Sequence, residues 1–139
     1  MEKIAQKYSI GIEAMDAQHA RWIELIERFR SVGAEHILDE PGRVAAGNAI
    51  AELLDYTRSH FASEEKFIAE HGYPDLENHK KIHCELEVEV RKLQQEIGTV
   101  EHPGTPLKLN LFITVWLMEH IMQEDLKYAR FILGKRLAT

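Results

Sequence analysis

The chain has 139 residues, 45% hydrophobic and 29% charged, long enough and apolar enough for one domain with its own core and too apolar for a disordered chain. A formal charge of -6 with no cluster of Lys and Arg excludes a nucleic-acid partner and an anionic membrane surface, both of which need concentrated positive charge. The most apolar stretch, Leu107–Met118, is too short to span a bilayer, and the lone Cys84 has no internal disulfide partner, so a cytoplasmic protein is expected; a monomer is the expected state, with an oligomer left open.

Residues 1–15 show no clear period and read as an N-terminal arm anchored by Ile10, Ile12 and Met15, with Asp16 as the N-cap of the helix that follows. That first helix, about 17–37, carries His19, Trp22, Ile23, Ile26 and Phe29 at the three-and-four spacing of one buried stripe. Asp39-Glu40-Pro41-Gly42 is turn chemistry, and Pro41 suits the start of a second helix over about 41–71. Its stripe runs Ile50, Leu53, Leu54, Thr57, His60, Phe61, Glu64, Ile68; Gly72 ends it and Pro74 prevents its continuation. A third helix, about 75–97, turns Leu76, His79, His83, Leu86, Val90, Leu93 and Ile97 to one side, and Gly98 closes it. The segment Gly98–Pro106 holds two glycines and two prolines and reads as a loop. A fourth helix, about 107–133, then faces Leu109, Phe112, Ile113, Trp116, Leu117, His120 and Tyr128 inward. No segment alternates as a strand would, so the fold class is all-α, an up-down-up-down four-helix bundle over a single domain, 1–139.

Each stripe brings titratable groups inward: His19 from the first helix, His60 and Glu64 from the second, His79 and His83 from the third, and His120 with a nearby acid from the fourth. Residues four apart share a helix face, so both second-helix groups can point at one spot, as can both third-helix histidines. Among leucines and phenylalanines these groups are costly to bury without something to bind. Five imidazoles and two carboxylates are too many donors for one tetrahedral zinc and too rich in nitrogen for calcium or magnesium. They suit two transition-metal ions sharing carboxylates. The other di-metal pattern of helical bundles, Glu-x-x-His, is absent: the residues three before each histidine are Asp16, Gly33, Thr57, Ile68, Leu76, Lys80, Thr99 and Leu117. For the acid of the last helix, spacing alone favours Glu124, four residues after His120, because Asp125 sits about 140° round a regular helix. His36, His71 and His102 lie at helix ends or in a loop and read as ordinary surface residues, with His71 suited to a helix dipole; Cys84 reads as a small filler.

The ordered set Gly11-Ile12-Glu13-Ala14-Met15-Asp16-Ala17-Gln18-His19, His60-Phe61-Ala62-Ser63-Glu64-Glu65, Gly72-Tyr73-Pro74 with His79-Lys80-Lys81-Ile82-His83, and Trp116-Leu117-Met118-Glu119-His120-Ile121-Met122-Gln123-Glu124-Asp125 resembles the hemerythrins, in particular the bacterial single-domain members called bacteriohemerythrins. The resemblance covers nearly the whole chain, and relatives of the family exemplify the up-down bundle. Its pattern of His and Asp separated by four residues picks Asp125 over Glu124, which implies a local widening of the helix, as in a π-bulge. The resemblance further implies two non-haem iron ions, one bound by His79, His83 and His120 and the other by His19 and His60. Glu64 and Asp125, with a solvent-derived oxo or hydroxo group, would bridge them, leaving one position open.

In that family dioxygen binds at the opening, takes one electron from each ferrous ion and the proton of the bridging hydroxide, is held as a hydroperoxide, and leaves again as dioxygen. The expected function is therefore reversible dioxygen binding, for carriage, storage or sensing, and not catalysis. The alternative is a di-iron enzyme acting on peroxide, nitric oxide or ferrous iron. Trp22, Ile23, Phe61, Leu86, Trp116 and Leu117 are expected to form the dry oxygen pocket; Leu86 stands where many members carry an aromatic, and Tyr8 is the aromatic nearest the chain start. No proton-delivering group is expected on the inner stripes, which favours binding over turnover. Glu65 and Glu124 read as solvated neighbours of the bridging pair.

Overall fold

The four apolar stripes become four helices. The computed structural model describes residues 7–35, 40–96 and 105–138. Helix α1 (Glu13–Glu35), α2 (Glu40–Glu70), α3 (Leu76–Glu96) and α4 (Thr105–Glu119) follow one another, and α4 passes through a π-helical turn (His120–Asp125) into α5 (Leu126–Ala138). Contacts close a ring: α1 packs on α2, α2 on α3, α3 on α4, and α4 back on α1. This is the all-α bundle that the stripes imply. Trp22, Phe29, Ile50, Leu53, Ile68, Leu109, Ile121 and Tyr128 fill its interior. Among the described residues, no helix is long and apolar enough to cross a membrane.

The boundaries carry two corrections. Helix α1 starts at Glu13, so Asp16 lies inside its first turns and is not the cap that begins it. The Asp16 carboxylate instead reaches back to the arm, accepting the N–H of Ile10 at 2.8 Å, the N–H of Gly11 at 3.3 Å and the hydroxyl of Ser9 at 2.7 Å. Folding the arm back this way needs the left-handed backbone of Gly11, φ 84°. It also seats Ile10, Ile12 and Met15 in the core, as expected of anchors. Helix α4 starts at Thr105, so Pro106 belongs to its first turn, where a missing N–H costs nothing, and not to a loop. His36, Asp39, Gly98 and His102 lie outside the described residues, as do residues 1–6.

Gly72 ends α2 as its position implies. With φ 70° it donates its N–H to Ala69 O at 3.0 Å, while Tyr73 donates to Ile68 O at 3.1 Å, so two orphan carbonyls of the last turn are satisfied. The short reversal that follows turns α3 back along α2. His79 and His83 thereby face His60 and Glu64 across the bundle.

Candidate metal centre

The seven residues singled out in the sequence meet in the interior. His60 and Glu64 stand one turn apart on α2, with His60 Nε2 3.3 Å from Glu64 Oε2. His79 and His83 stand one turn apart on α3, with ring centroids 4.5 Å apart. His19 enters from α1. His120 and Asp125 are the first and last residues of the π turn, where the N–H of Leu126 bonds to Ile121 O, a step of five residues in place of four. That one extra residue per turn decides the last acid. It brings Asp125 back to the face of His120, 2.9 Å from its Nε2, and sends Glu124 outward to pair with Lys127 at 3.2 Å.

Each of the two carboxylates divides its oxygens between two groups of histidines. Glu64 Oε1 lies 2.8 Å from His79 Nε2 and 3.1 Å from His83 Nε2, while Oε2 lies 3.4 Å from His19 Nε2 and 3.3 Å from His60 Nε2. Asp125 Oδ1 faces His79 at 3.2 Å and His120 at 2.9 Å, while Oδ2 faces His19 at 3.2 Å. The atoms fall into a three-histidine set and a two-histidine set with both acids between them. No more than 3% of any of the seven side chains is exposed.

The residues fit a metal centre on what they leave unpaired. Asp125 Oδ1 and Oδ2, His19 Nε2 and His60 Nε2 are buried without an aligned hydrogen bond, despite their short approaches. His83 Nε2 and His120 Nε2 point at each other across 3.0 Å. Converging lone pairs of this kind are expensive unless a cation sits among them.

Electrostatics say the same. Burial pulls the basicity of His19 and His79 down, but the adjacent Asp125 and Glu64 carboxylates outweigh it and raise each to about 9. His120 is raised from its ordinary value by the same carboxylates against the same burial. Burial works to raise both acids, yet the surrounding imidazoles hold Glu64 and Asp125 below the usual carboxylate range. The metal-free cluster therefore holds protons where the donor set would otherwise hold cations.

Three supports of the cluster are absent from the sequence reading. Gln18 Oε1 lies 2.7 Å from His60 Nδ1, while its amide nitrogen donates to Ser63 Oγ at 3.0 Å. An oxygen there makes Nδ1 the protonated nitrogen and leaves Nε2 a free lone pair. Glu65 Oε2 does the same for His83 Nδ1 at 2.9 Å, which corrects its reading as a solvated neighbour. The hydroxyl of Tyr128 donates to Glu64 Oε2 at 3.0 Å, and burial together with the nearby carboxylates pushes that phenol far up, so it stays protonated. The expectation of inner stripes without a proton-bearing group is corrected by this residue. Tyr128 was visible as an inward position, but only the packing reveals its acceptor.

Of the expected oxygen-pocket residues, three pack against histidine rings of the cluster. Phe61 stacks on His83 at 3.7 Å, Trp116 stacks on His120 at 4.4 Å, and Trp22 lies 5.1 Å from His60. Leu86 borders a cavity of about 10 Å³ together with Trp22, Leu53 and Ile113. Ile23 and Leu117 line a separate cavity of about 50 Å³ with Tyr8. His71 bonds through Nδ1 to Phe67 O at 2.8 Å, and Cys84 is exposed and so fills no core space.

A family model, the hemerythrin HHE cation-binding domain, matches residues 10–132. Bacteriohemerythrin of Stenotrophomonas maltophilia (strain R551-3) is 35% identical over 122 residues, 87% of this chain and 74% of that protein. Bacteriohemerythrin of Pseudomonas aeruginosa (strain LESB58) is 35% identical over 120 residues, 85% and 72%. That of Clostridium acetobutylicum is 24% identical over 123 residues, 88% and 94%.

Proposed function

This chain belongs to the hemerythrin family, and from that premise we propose that its cluster holds two iron ions and binds dioxygen reversibly. His79, His83 and His120 would hold one ion and His19 and His60 the other, with Glu64 and Asp125 between them. The observation that carries this reading is the division of each carboxylate, one oxygen toward each histidine set, which is what two ions sharing two bridges require. Bound iron supplies the electrons that dioxygen needs for binding and recovers them on release.

The protein's own work is to orient and to exclude water. Gln18 and Glu65 fix the tautomer and the ring plane of His60 and His83, and Tyr128 fixes the rotamer of Glu64. Phe61, Trp116 and Trp22 lay apolar surface against one side of the rings of His83, His120 and His60, which limits the water that reaches the cluster. Tyr128 spends its proton on a carboxylate, so it positions that group and does not stand as a free acid. These features support a binding protein over an enzyme.

The test is direct. Reduced protein is loaded anaerobically with ferrous iron, oxygen is admitted, and the solution is then purged. A visible absorption band that appears with oxygen and disappears on purging is the expected result. One-way conversion to the ferric state would instead point to turnover of peroxide, nitric oxide or ferrous iron. Two iron ions per chain is the stoichiometry expected in either case.

A further inference from the structure

We propose that a cleft on the outer side of the π turn is the port through which hydrated ferrous iron reaches the buried cluster, a proposal that rests on reading the cluster as a metal centre. Ile82, Trp116, Glu119, His120, Gln123 and Glu124 line a surface cleft of about 170 Å³, room for a divalent ion with several of its waters. Two carboxylates and an amide oxygen are the hard donors that a hydrated divalent cation meets most readily. The cavity beside Ile23 and Leu117 has a single charged residue, Glu27, and none of the seven cluster residues in its wall.

The wall of the cleft includes one cluster residue. His120 is 3% exposed, and its Nε2 faces Asp125 at 2.9 Å and His83 at 3.0 Å. Its Nδ1 is buried and has no partner. Because the two nitrogens of an imidazole point away from each other, Nδ1 is turned away from Asp125 and His83, on a residue that lines the cleft. His60 and His83 are different: their Nδ1 atoms are anchored by Gln18 and Glu65. The outer nitrogen of His120 is thus left open to an incoming donor or cation, beside the flat face of Trp116 at 4.4 Å. His120 is therefore the cluster residue that an ion in the cleft meets first.

The port and the cluster share one piece of backbone. His120 and Asp125 are the inner residues of the π turn, while Glu119, Gln123 and Glu124 stand on or beside its outer side. Glu124 already holds a cation, the exposed ammonium of Lys127 at 3.2 Å. A pair whose ammonium stays in water is weak, so an arriving divalent ion displaces the ammonium at little cost.

The experiment adds ferrous iron anaerobically to the metal-free full chain and follows uptake by quenching of tryptophan fluorescence, with iron per chain measured at the end. Glu119→Gln combined with Glu124→Gln is expected to slow uptake about tenfold at low ionic strength, by a margin that shrinks with salt, while final iron content is unchanged. Glu13→Gln combined with Glu77→Gln removes the same charge from exposed positions and is expected to load at the wild-type rate. The port is overturned by a Glu119/Glu124 variant that loads as fast as wild type, by a control that slows equally, or by a variant with lower final iron content, since the carboxylates would then hold iron and not pass it. Wild-type protein that takes up no iron at all would overturn the metal centre itself, and the port with it.

Discussion

Tyr128→Phe removes one oxygen atom and leaves the ring in place. Tyr128 is fully buried, and its ring keeps neighbours in His79 at 5.5 Å, Tyr73 at 6.3 Å and Phe67 at 6.5 Å, so packing changes little. What disappears is the hydrogen bond to Glu64 Oε2, a charged acceptor that is itself fully buried. A hydrogen bond to a buried charge contributes about 2 kcal/mol, and in a chain of this length that corresponds to about 6 °C in Tm. Urea unfolding of the metal-free protein should show this loss in the midpoint, with an unchanged slope because the exposed surface is the same. Metal affinity should fall about tenfold as well, since the released carboxylate no longer holds the rotamer that faces both histidine sets. A loss below about 0.5 kcal/mol together with unaltered affinity would show that the hydroxyl does not hold Glu64, and the account of how that carboxylate is positioned would be wrong.

Three further outcomes follow from the same geometry. The raised values of His19 and His79 stabilise the metal-free protein below an unfolded value of 6.5, and this contribution is lost as pH rises through about 9; the lowered values of Glu64 and Asp125 contribute above the ordinary carboxylate range and are lost in acid. The unfolding free energy from urea titration should therefore fall between pH 6.5 and 9 by on the order of 3 kcal/mol for each of the two histidines in the metal-free form and not in the loaded form, where a cation takes the place of the titrating proton; equal pH profiles would contradict this. His79→Ala leaves Glu64 and Asp125 each short of one imidazole, so metal content and unfolding free energy should drop together, the latter by about 3 kcal/mol; unchanged stoichiometry would remove His79 from the centre. Deleting Met122, an outward residue of the π turn, shortens the step from His120 to Asp125 to four residues, about 40° in a regular helix, so metal content measured by elemental analysis should survive the deletion and be lost in Asp125→Ala; equal losses would mean that the π geometry itself is required.

How much was legible in the sequence depends on the distance over which each feature is set. The helices were legible because an apolar stripe repeats within one turn, and the pairs His60/Glu64 and His79/His83 because a four-residue step is also local. Asp125 was not legible from period, which points to Glu124; the family pattern chose it, and the π turn provides the physical reason, an extra residue that rotates the next face inward. Asp16 is of a type that suits a cap, whereas the folded-back arm offers it the donors it takes.

What the amino-acid order determined by itself is which side chains face the interior, since helical periodicity is a property of neighbouring residues. Only the tertiary structure decided how those side chains divide their atoms: each oxygen of Glu64 and Asp125 toward a different histidine set, Gln18 beneath His60, Glu65 beneath His83, and Tyr128 on Glu64. Those partners stand 42, 18 and 64 residues apart, and no local spacing relates them. They meet because four helices close into a ring and the buried polar atoms must then find one another or remain unpaired.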